Sequence, residues 1–472
     1  MNLLPYARSV LLTTLFSMMA AAASPNPNTM RLDYYHSGNH ESEIFSLDRL
    51  VLEPLPFPGN LQRPVDTTLR GKYLFSVLAS GSGETIWSRS FSSIFGEWET
   101  TGEARQINRT FHESLRFPLP AEPFEVVLKK RAADNTFVEI WRVQADPDDY
   151  LVHRESAAYA DQLIVIEING DPAGKVDILL LGDGYTAAER ETFVSKAKQL
   201  TEVLFATSPF RERREDFNVW ALAPAAQESG VSRPSTHTYR DSPFGATYDA
   251  FRSERYVLSY DNKSWRRIAS SAAYDFVEIL TNSDTYGGGG IYGLYSTAAA
   301  NSDWAPYLFV HEFAHHMAGL ADEYYTSSVA YEAPETIVEP YEPNVTALQD
   351  PDNLKWRHLV NADTLVPTPW PKDKYEEHSL AYQERRAKMR EENVPEAEMN
   401  ALFRANQEFT EMLFSKAPQR DSIGAFEGAN YQSKGFYRSA MNCVMFTRTV
   451  DFCRVCADAI ELVIDEYTKP AD

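Results

Sequence analysis

The chain has 472 residues and a mass of 53.4 kDa, long for one ordinary domain, and domains of common size divide it into about three units. Hydrophobic residues make up 43% and charged residues 24%, enough apolar material for a sizeable core, which excludes a wholly disordered or fibrous chain. The 45 Lys and Arg against 67 Asp and Glu leave a net charge of -22, which repels nucleic acid and anionic membranes, and no local basic patch offsets it.

At the N-terminus a single positive side chain, Arg8, precedes the apolar run Val10 to Met19, four alanines from Ala20 to Ala23, and then Ser24-Pro25. Charge, apolar stretch and small residues in that order predict a secretory signal peptide over residues 1–23, cut near Ala22 or Ala23. Its apolar core is shorter than the ~20 residues of a helical span. No cysteine follows the alanines to carry a lipid, and no later segment reads as a second span. The mature chain is expected to be secreted or periplasmic, without a transmembrane segment.

From 24 to 155, short β-rich runs recur between turn residues: Leu47 to Leu52, Gly71 to Leu78, Phe124 to Leu128 and Phe137 to Val143. This spacing predicts an antiparallel β-sandwich accessory domain. A second domain, 156–472, opens with the apolar strands Leu163 to Ile168 and Val176 to Leu181. The latter runs through Gly182-Asp183-Gly184 into a helix that Thr186 and Glu189 can close with a capping box. Phe217 to Leu222 and Tyr274 to Leu280 supply further strands, and strand, tight loop and helix together predict an α/β layer. Residues 326–430 form a Pro- and acid-rich excursion with a charged helical segment from about 375 to 415, interrupted near Pro395. Such a segment is expected to pack on the domain's surface or rim rather than to build a core of its own.

The three cysteines, Cys443, Cys453 and Cys456, are too few for a disulfide scaffold. The Cys453-x-x-Cys456 pair reads as a local bridge, as two buried thiols or as half of a metal knuckle. A four-cysteine zinc site is excluded, and pairing of Cys443 with either later cysteine is equally open.

The strongest chemical signal is His311-Glu312-Phe313-Ala314-His315, preceded by WAPYLFV and followed by HMAGLADEYY. On a helix, positions 311 and 315 share one face, so two imidazoles converge on one ion while Glu312 projects beside them toward a bound water. Zinc is the expected ion, because two neutral nitrogens plus a carboxylate leave a fourth position for that water. Gly319 can end the helix and turn the chain back so that a ligand just beyond it reaches the metal. Asp322 is the expected third ligand, and its neighbour Glu323 is the alternative that only geometry can separate from it. His316 points elsewhere.

With these residues and the stretches LLLGDGYTAAE, FNVWALAP, YDFVEILTNSDTYGGGG and GFYRSAMNCVMFTRTVDFCRVCADAI, the chain resembles the secreted IgA peptidase family of zinc metallopeptidases over about residues 175–465. That family is related in pattern to the metzincins. The β-rich start is similar to the family's N-terminal domain. The resemblance implies a zincin-like α/β (α+β) metallopeptidase domain and zinc held by His311, His315 and Asp322. Compared with the usual metzincin HExxHxxGxxH, the glycine falls one place later and an aspartate replaces the third histidine. A metzincin-like site also implies a methionine turn beneath the ligands, for which Met445 is the first candidate and Met441 the reserve. Tyr437 and Arg438, just upstream, are candidate donors to the developing oxyanion.

The glycines Gly287, Gly288, Gly289 and Gly290 are candidates for an edge that aligns an extended peptide as an added strand. The acidic residues around 333–342 are a weak candidate for structural calcium. Asn344-Val345-Thr346 is a glycosylation match relevant only in a host that glycosylates exported proteins. The primary expectation is an exported zinc endopeptidase with Glu312 as general base, acting on a protein or peptide. Immunoglobulin A enters as a substrate only through the family resemblance. The competing readings are a catalytically silent envelope or binding protein that keeps the fold, and a zinc amidase for a non-peptide amide.

Overall fold

The computed structural model describes residues 27–332 and 336–470; the expected signal peptide and residues 333–335 of the acidic stretch lie outside the described residues. The N-terminal region is built from two four-stranded sheets. In the first, Asn28–Gly38 lies between the antiparallel strands Glu43–Pro56 and Arg109–Pro118, with His153–Arg154 beside the former. The second runs in the order Thr85–Phe91, Tyr73–Ala79, Phe124–Arg131, Phe137–Ala145. Side chains alternate along a strand. Met30, Leu32 and Tyr34 accordingly join Phe75, Val77, Val126 and Leu128 in one core, while Arg31 and Asp33 point to the opposite face. There Arg31, fully buried, makes 2.8 Å contacts with each of Asp33, Glu53 and Glu155. This polar face continues into the rest of the chain: Arg116 donates to Tyr274 O at 2.9 Å and Asn262 donates to Ser114 Oγ at 2.7 Å. The short helix α1 (Ile94–Trp98), capped by Ser93, follows the second sheet's Thr85–Phe91 strand.

A six-stranded sheet organises the remainder, in the order Gly288–Ile291, Tyr295–Ala299, Phe276–Thr281, Val176–Asp183, Phe217–Leu222, Ile164–Glu167. Its four inner strands are parallel and both edges antiparallel. The central strand is buried along its whole length, which explains its continuous apolar sequence. Ile178 and Leu180 face a core shared with α2 (Arg190–Ala206), α4 (Ala305–Ala318) and α7 (Arg454–Thr468). Leu179 and Leu181 face a second core with α1 and α3 (Asn262–Ala269). The capping box expected at Thr186 and Glu189 is formed, one short 3₁₀ turn ahead of α2.

The charged segment of the excursion is two helices, α5 (Lys372–Glu391) and α6 (Glu396–Ser415), separated at Pro395. Tyr375, Tyr382, Met399, Phe403 and Phe414 from these helices enter the same core as α4. A three-stranded sheet, Val345–Thr346, Gln432–Arg438, Phe426–Ala429, closes the excursion. Asn344 is fully buried and pairs with both backbone groups of Ala321, so it is no glycosylation acceptor in the folded chain. No described helix is long and apolar enough to cross a membrane.

Arg70 ties the N-terminal region to the helices that carry the site. Its buried guanidinium donates to Ala318 O at 2.7 Å, at the end of α4, and to Ala459 O at 3.1 Å in α7. Charged donors to carbonyls of this kind contribute about 1.5–3 kcal/mol. Arg70→Ala is therefore expected to lower unfolding stability by about that amount, read as a shift of the denaturant midpoint; an unchanged midpoint would show that this link contributes nothing.

Candidate metal centre

Helix α4 presents two faces of different chemistry. Phe309, Val310, Phe313, Ala314 and Met317 are buried in the core, whereas Glu312 and His315 reach a cleft of about 680 Å³. The helix ends at Gly319, whose left-handed backbone (φ 59°, ψ 37°) brings its N–H onto His315 O and turns the chain back. That reversal delivers Asp322 to the two histidines. Asp322 Oδ1 lies 3.1 Å from His311 Nε2 and 3.2 Å from His315 Nε2, and the two nitrogens are 3.2 Å apart.

The protonation pattern of this triangle is set from behind. His311 Nδ1 donates to Val444 O at 3.0 Å and His315 Nδ1 to Leu320 O at 2.6 Å, which leaves both Nε2 lone pairs aimed at one point. Asp322 Oδ1 is buried without a hydrogen-bond donor, while Oδ2 accepts the Tyr431 hydroxyl at 2.6 Å. Facing one another, these three acceptor atoms repel unless a cation lies among them, either a metal ion or the proton that Asp322 favours on His315 when no ion is bound. A tetrahedral ion bonded to nitrogen and oxygen at about 2.0–2.1 Å holds its ligands roughly 3.3 Å apart, so the residues present fit zinc.

Electrostatics in the cleft follow from burial and this clustering. Burial would raise the Asp322 carboxyl, but the imidazoles of His315 and His311 hold it well below the usual carboxylate range. Burial disfavours the His315 imidazolium, yet Asp322 overcomes this and lifts its pKa to about 9. Glu312 is pushed up by desolvation, with the two imidazoles opposing and Asp322 reinforcing the shift.

Geometry separates the adjacent carboxylates. Glu323 turns away from the histidines: its N–H donates to Met445 O at 2.8 Å and its Oε1 lies 3.6 Å from Cys456 Sγ. Met445 is fully buried in the segment whose preceding carbonyl, Val444 O, orients His311; Met441 is equally buried. His316 is a satisfied core residue, accepting from Val277 N–H at 3.1 Å and donating to Ile291 O, and burial drives its pKa down to about 3.

Gly288, Gly289 and Gly290 open the edge strand of the six-stranded sheet and line the cleft, whereas Gly287 precedes the strand and packs on Tyr248. Their first constraint is space. A Cβ on Gly290 would fall 2.3 Å from Glu312 O and 2.8 Å from His315 Cβ, so the strand lies directly against α4. At Gly288 the outer edge is already taken, by a bond to Arg255 O at 3.0 Å and one from Val257 N–H at 3.1 Å. Room for an added strand therefore begins beyond it.

Tyr437 and Arg438 are not brought to the cleft. They lie in the Gln432–Arg438 strand, with Arg438 fully buried and donating to Gly428 O at 2.6 Å. Polar donors that do line it include Tyr324, Tyr431 and Arg255, the last donating to Tyr324 OH at 3.2 Å. Tyr431 stands in a two-residue hairpin turn with left-handed backbone (φ 62°, after Asn430 at φ 49°), held by bonds from Asn430 N–H to Asp322 O and from Tyr431 N–H to Tyr324 O. Only its long-range pairing reveals its place, and no local motif marks it. Among the described residues, none of the His, Cys, Asp and Glu groupings close enough to hold a metal comes from the acidic stretch at 333–342.

The family model described as IgA Peptidase M64 matches residues 164–464, and that described as Peptidase M64 N-terminus matches residues 23–142. The chain belongs to the IgA peptidase M64 family. In this M64 chain the first match contains α4, the turn at Gly319 and Asp322, and the second covers the two N-terminal sheets as far as the Phe137–Ala145 strand. Family and cluster together support a zinc-dependent peptidase function. No curated protein matches the chain.

Outer partners of metal ligands typically contribute 10- to 100-fold to affinity. Tyr431→Phe is expected to weaken zinc binding by roughly that factor in a chelator competition, with the fold intact by circular dichroism. Unchanged affinity would remove Tyr431 from the site.

Proposed function

We propose that this M64 family member is an exported zinc endopeptidase with a zincin-like catalytic region spanning about 156–472, whose ligands are His311, His315 and Asp322. The observation that carries the reading is the convergence of two imidazole nitrogens and one carboxylate oxygen within about 3.2 Å of one another, with Glu312 beside them in an open cleft. Zinc, when bound there, supplies Lewis-acid polarisation of the scissile carbonyl and acidifies water.

The remaining work falls to the chain. Glu312 takes the proton of the attacking water and passes it to the leaving amine, and its raised pKa suits a group that must both accept and release a proton. Arg255 and Tyr324 are the donors placed to face negative charge developing on the substrate oxygen, the Tyr431 hydroxyl being committed to Asp322 Oδ2. The edge strand beyond Gly288 aligns an extended peptide, and Met445 forms an apolar floor under the ligands. Lys72, Ser92, Glu97 and Thr100 make the N-terminal region, about residues 24–155, one wall of the cleft, which supports a part for it in substrate binding. Immunoglobulin A is a substrate to test because of the family's description.

Purified mature protein is to be incubated with unfolded proteins and immunoglobulin A and the products sequenced by mass spectrometry. New peptide termini are expected with zinc and none after chelation. Glu312→Gln is expected to retain zinc and lose hydrolysis by roughly hundredfold to ten-thousandfold. Full activity in that variant would contradict the mechanism, and cleavage without new peptide termini would favour the non-peptide amidase.

A further inference from the structure

Behind the histidine site the chain gathers a second set of ligand-type atoms. Cys443, Cys453, Cys456 and Glu323 each place one such atom within 4.8 Å of the others. Cys443 Sγ and Cys456 Sγ are 3.7 Å apart, too far for a disulfide, and Cys456 Sγ is 3.6 Å from Glu323 Oε1. A tetrahedral zinc with Zn–S of about 2.3 Å and Zn–O of about 2.0 Å separates sulfurs by roughly 3.8 Å and sulfur from oxygen by roughly 3.5 Å. Both separations agree with that geometry.

The surroundings favour anions held on a cation. Cys453 is the N-cap residue of α7 and Cys456 lies in its first turn, where the helix dipole favours an anion, although burial pushes the Cys456 thiol up. Cys453 N–H donates to Cys443 Sγ at 3.3 Å and Ser439 Oγ lies 3.2 Å from Cys453 Sγ. Glu323 is completely buried; Asn344 Nδ2 donates to its Oε1 at 3.0 Å, and its Oε2 has no partner. Arg438, also completely buried, interacts electrostatically with Glu323 and Cys443 while its Nε and Nη2 groups go unbonded. Three thiolates and a carboxylate around a divalent ion retain net negative charge, which gives this arginine its counter-charge. With three thiols and no ion, Glu323 Oε2 and two of the Arg438 N–H groups remain buried without hydrogen-bond partners, a costly arrangement.

We propose a second metal site in which Cys443, Cys453, Cys456 and Glu323 hold a structural zinc ion with no open position. The three thiols release their protons on binding. The ion ties together three parts of the catalytic centre: Glu323 adjoins Asp322, Cys443 adjoins the Val444 whose carbonyl orients His311, and Cys453 and Cys456 anchor α7. Consecutive acidic residues thus serve two different ions, Asp322 the exposed one and Glu323 the enclosed one.

The test is metal stoichiometry on the full mature chain, by native mass spectrometry and elemental analysis, in the wild type, His315→Ala and Cys456→Ser. Two zinc ions per chain are expected in the wild type. One is expected in His315→Ala, and cobalt exchanged into that variant should show a thiolate-to-cobalt charge-transfer band. Cys456→Ser should lose the band and one ion; if it does not fold, the wild-type count and the His315→Ala cobalt spectrum still decide. One ion in the wild type that is lost in His315→Ala, no charge-transfer band in that variant, or a loss of two hydrogens that maps to a Cys443–Cys456 disulfide would overturn the site. Because no readout is peptide hydrolysis, failure here is distinguishable from failure of the peptidase reading.

Discussion

Two imidazole nitrogens and a carboxylate oxygen lie about 3 Å from one another, at 3.1, 3.2 and 3.2 Å, and this mutual approach of electron-rich atoms is the constraint around which the molecule is arranged. The i, i+4 spacing on α4 brings two of them to one face. The third depends on a reversal of the chain at Gly319, on the Tyr431 hydroxyl behind Asp322, and on carbonyls of Leu320 and Val444 that fix both imidazole tautomers. These supports come from residues 319–324, 430–431 and 444, so the site is a product of tertiary packing around a locally encoded helix.

The sheet serves that helix. Its edge strand is glycine-rich where it lies against Glu312 and His315, and a side chain at Gly290 would drive the strand off the helix. Core residues from α2, α5, α6 and α7 hold α4 from the other side, and Arg70 of the N-terminal region bonds its last turn. The N-terminal region therefore contributes to the cleft twice, by supplying one wall and by securing the helix end.

What could be read from the sequence follows the range of the interactions concerned. The HExxH helix and its glycine stop, the capping box before α2 and the apolar central strands are set by neighbours in sequence, and each leaves a periodic or positional signature. The sequence puts Asp322 first as third ligand but keeps Glu323 open, because adjacent carboxylates after a turn leave the same local signature; the direction of the backbone after Gly319 brings Asp322 to the histidines and turns Glu323 away. Tyr431, in its two-residue hairpin turn, and Arg255 reach the cleft only through tertiary packing and carry no local motif. Tyr437 and Arg438 were attractive because they stand close in sequence to Met445, yet strand pairing with Phe426–Ala429 turns them to other surroundings. The glycine run was readable as an edge, while its packing against α4 was not. Nor could three cysteines reveal their association with Glu323, which lies more than a hundred residues away.

A crystal structure of the zinc-loaded mature protein, with anomalous difference density collected on both sides of the zinc edge, tests the central claim most directly. A peak equidistant from His311 Nε2, His315 Nε2 and Asp322 Oδ1, with Tyr431 still bonded to the other carboxylate oxygen, is the result this account predicts. Absence of a peak at that point, or a peak ligated by Glu323 in place of Asp322, would contradict it.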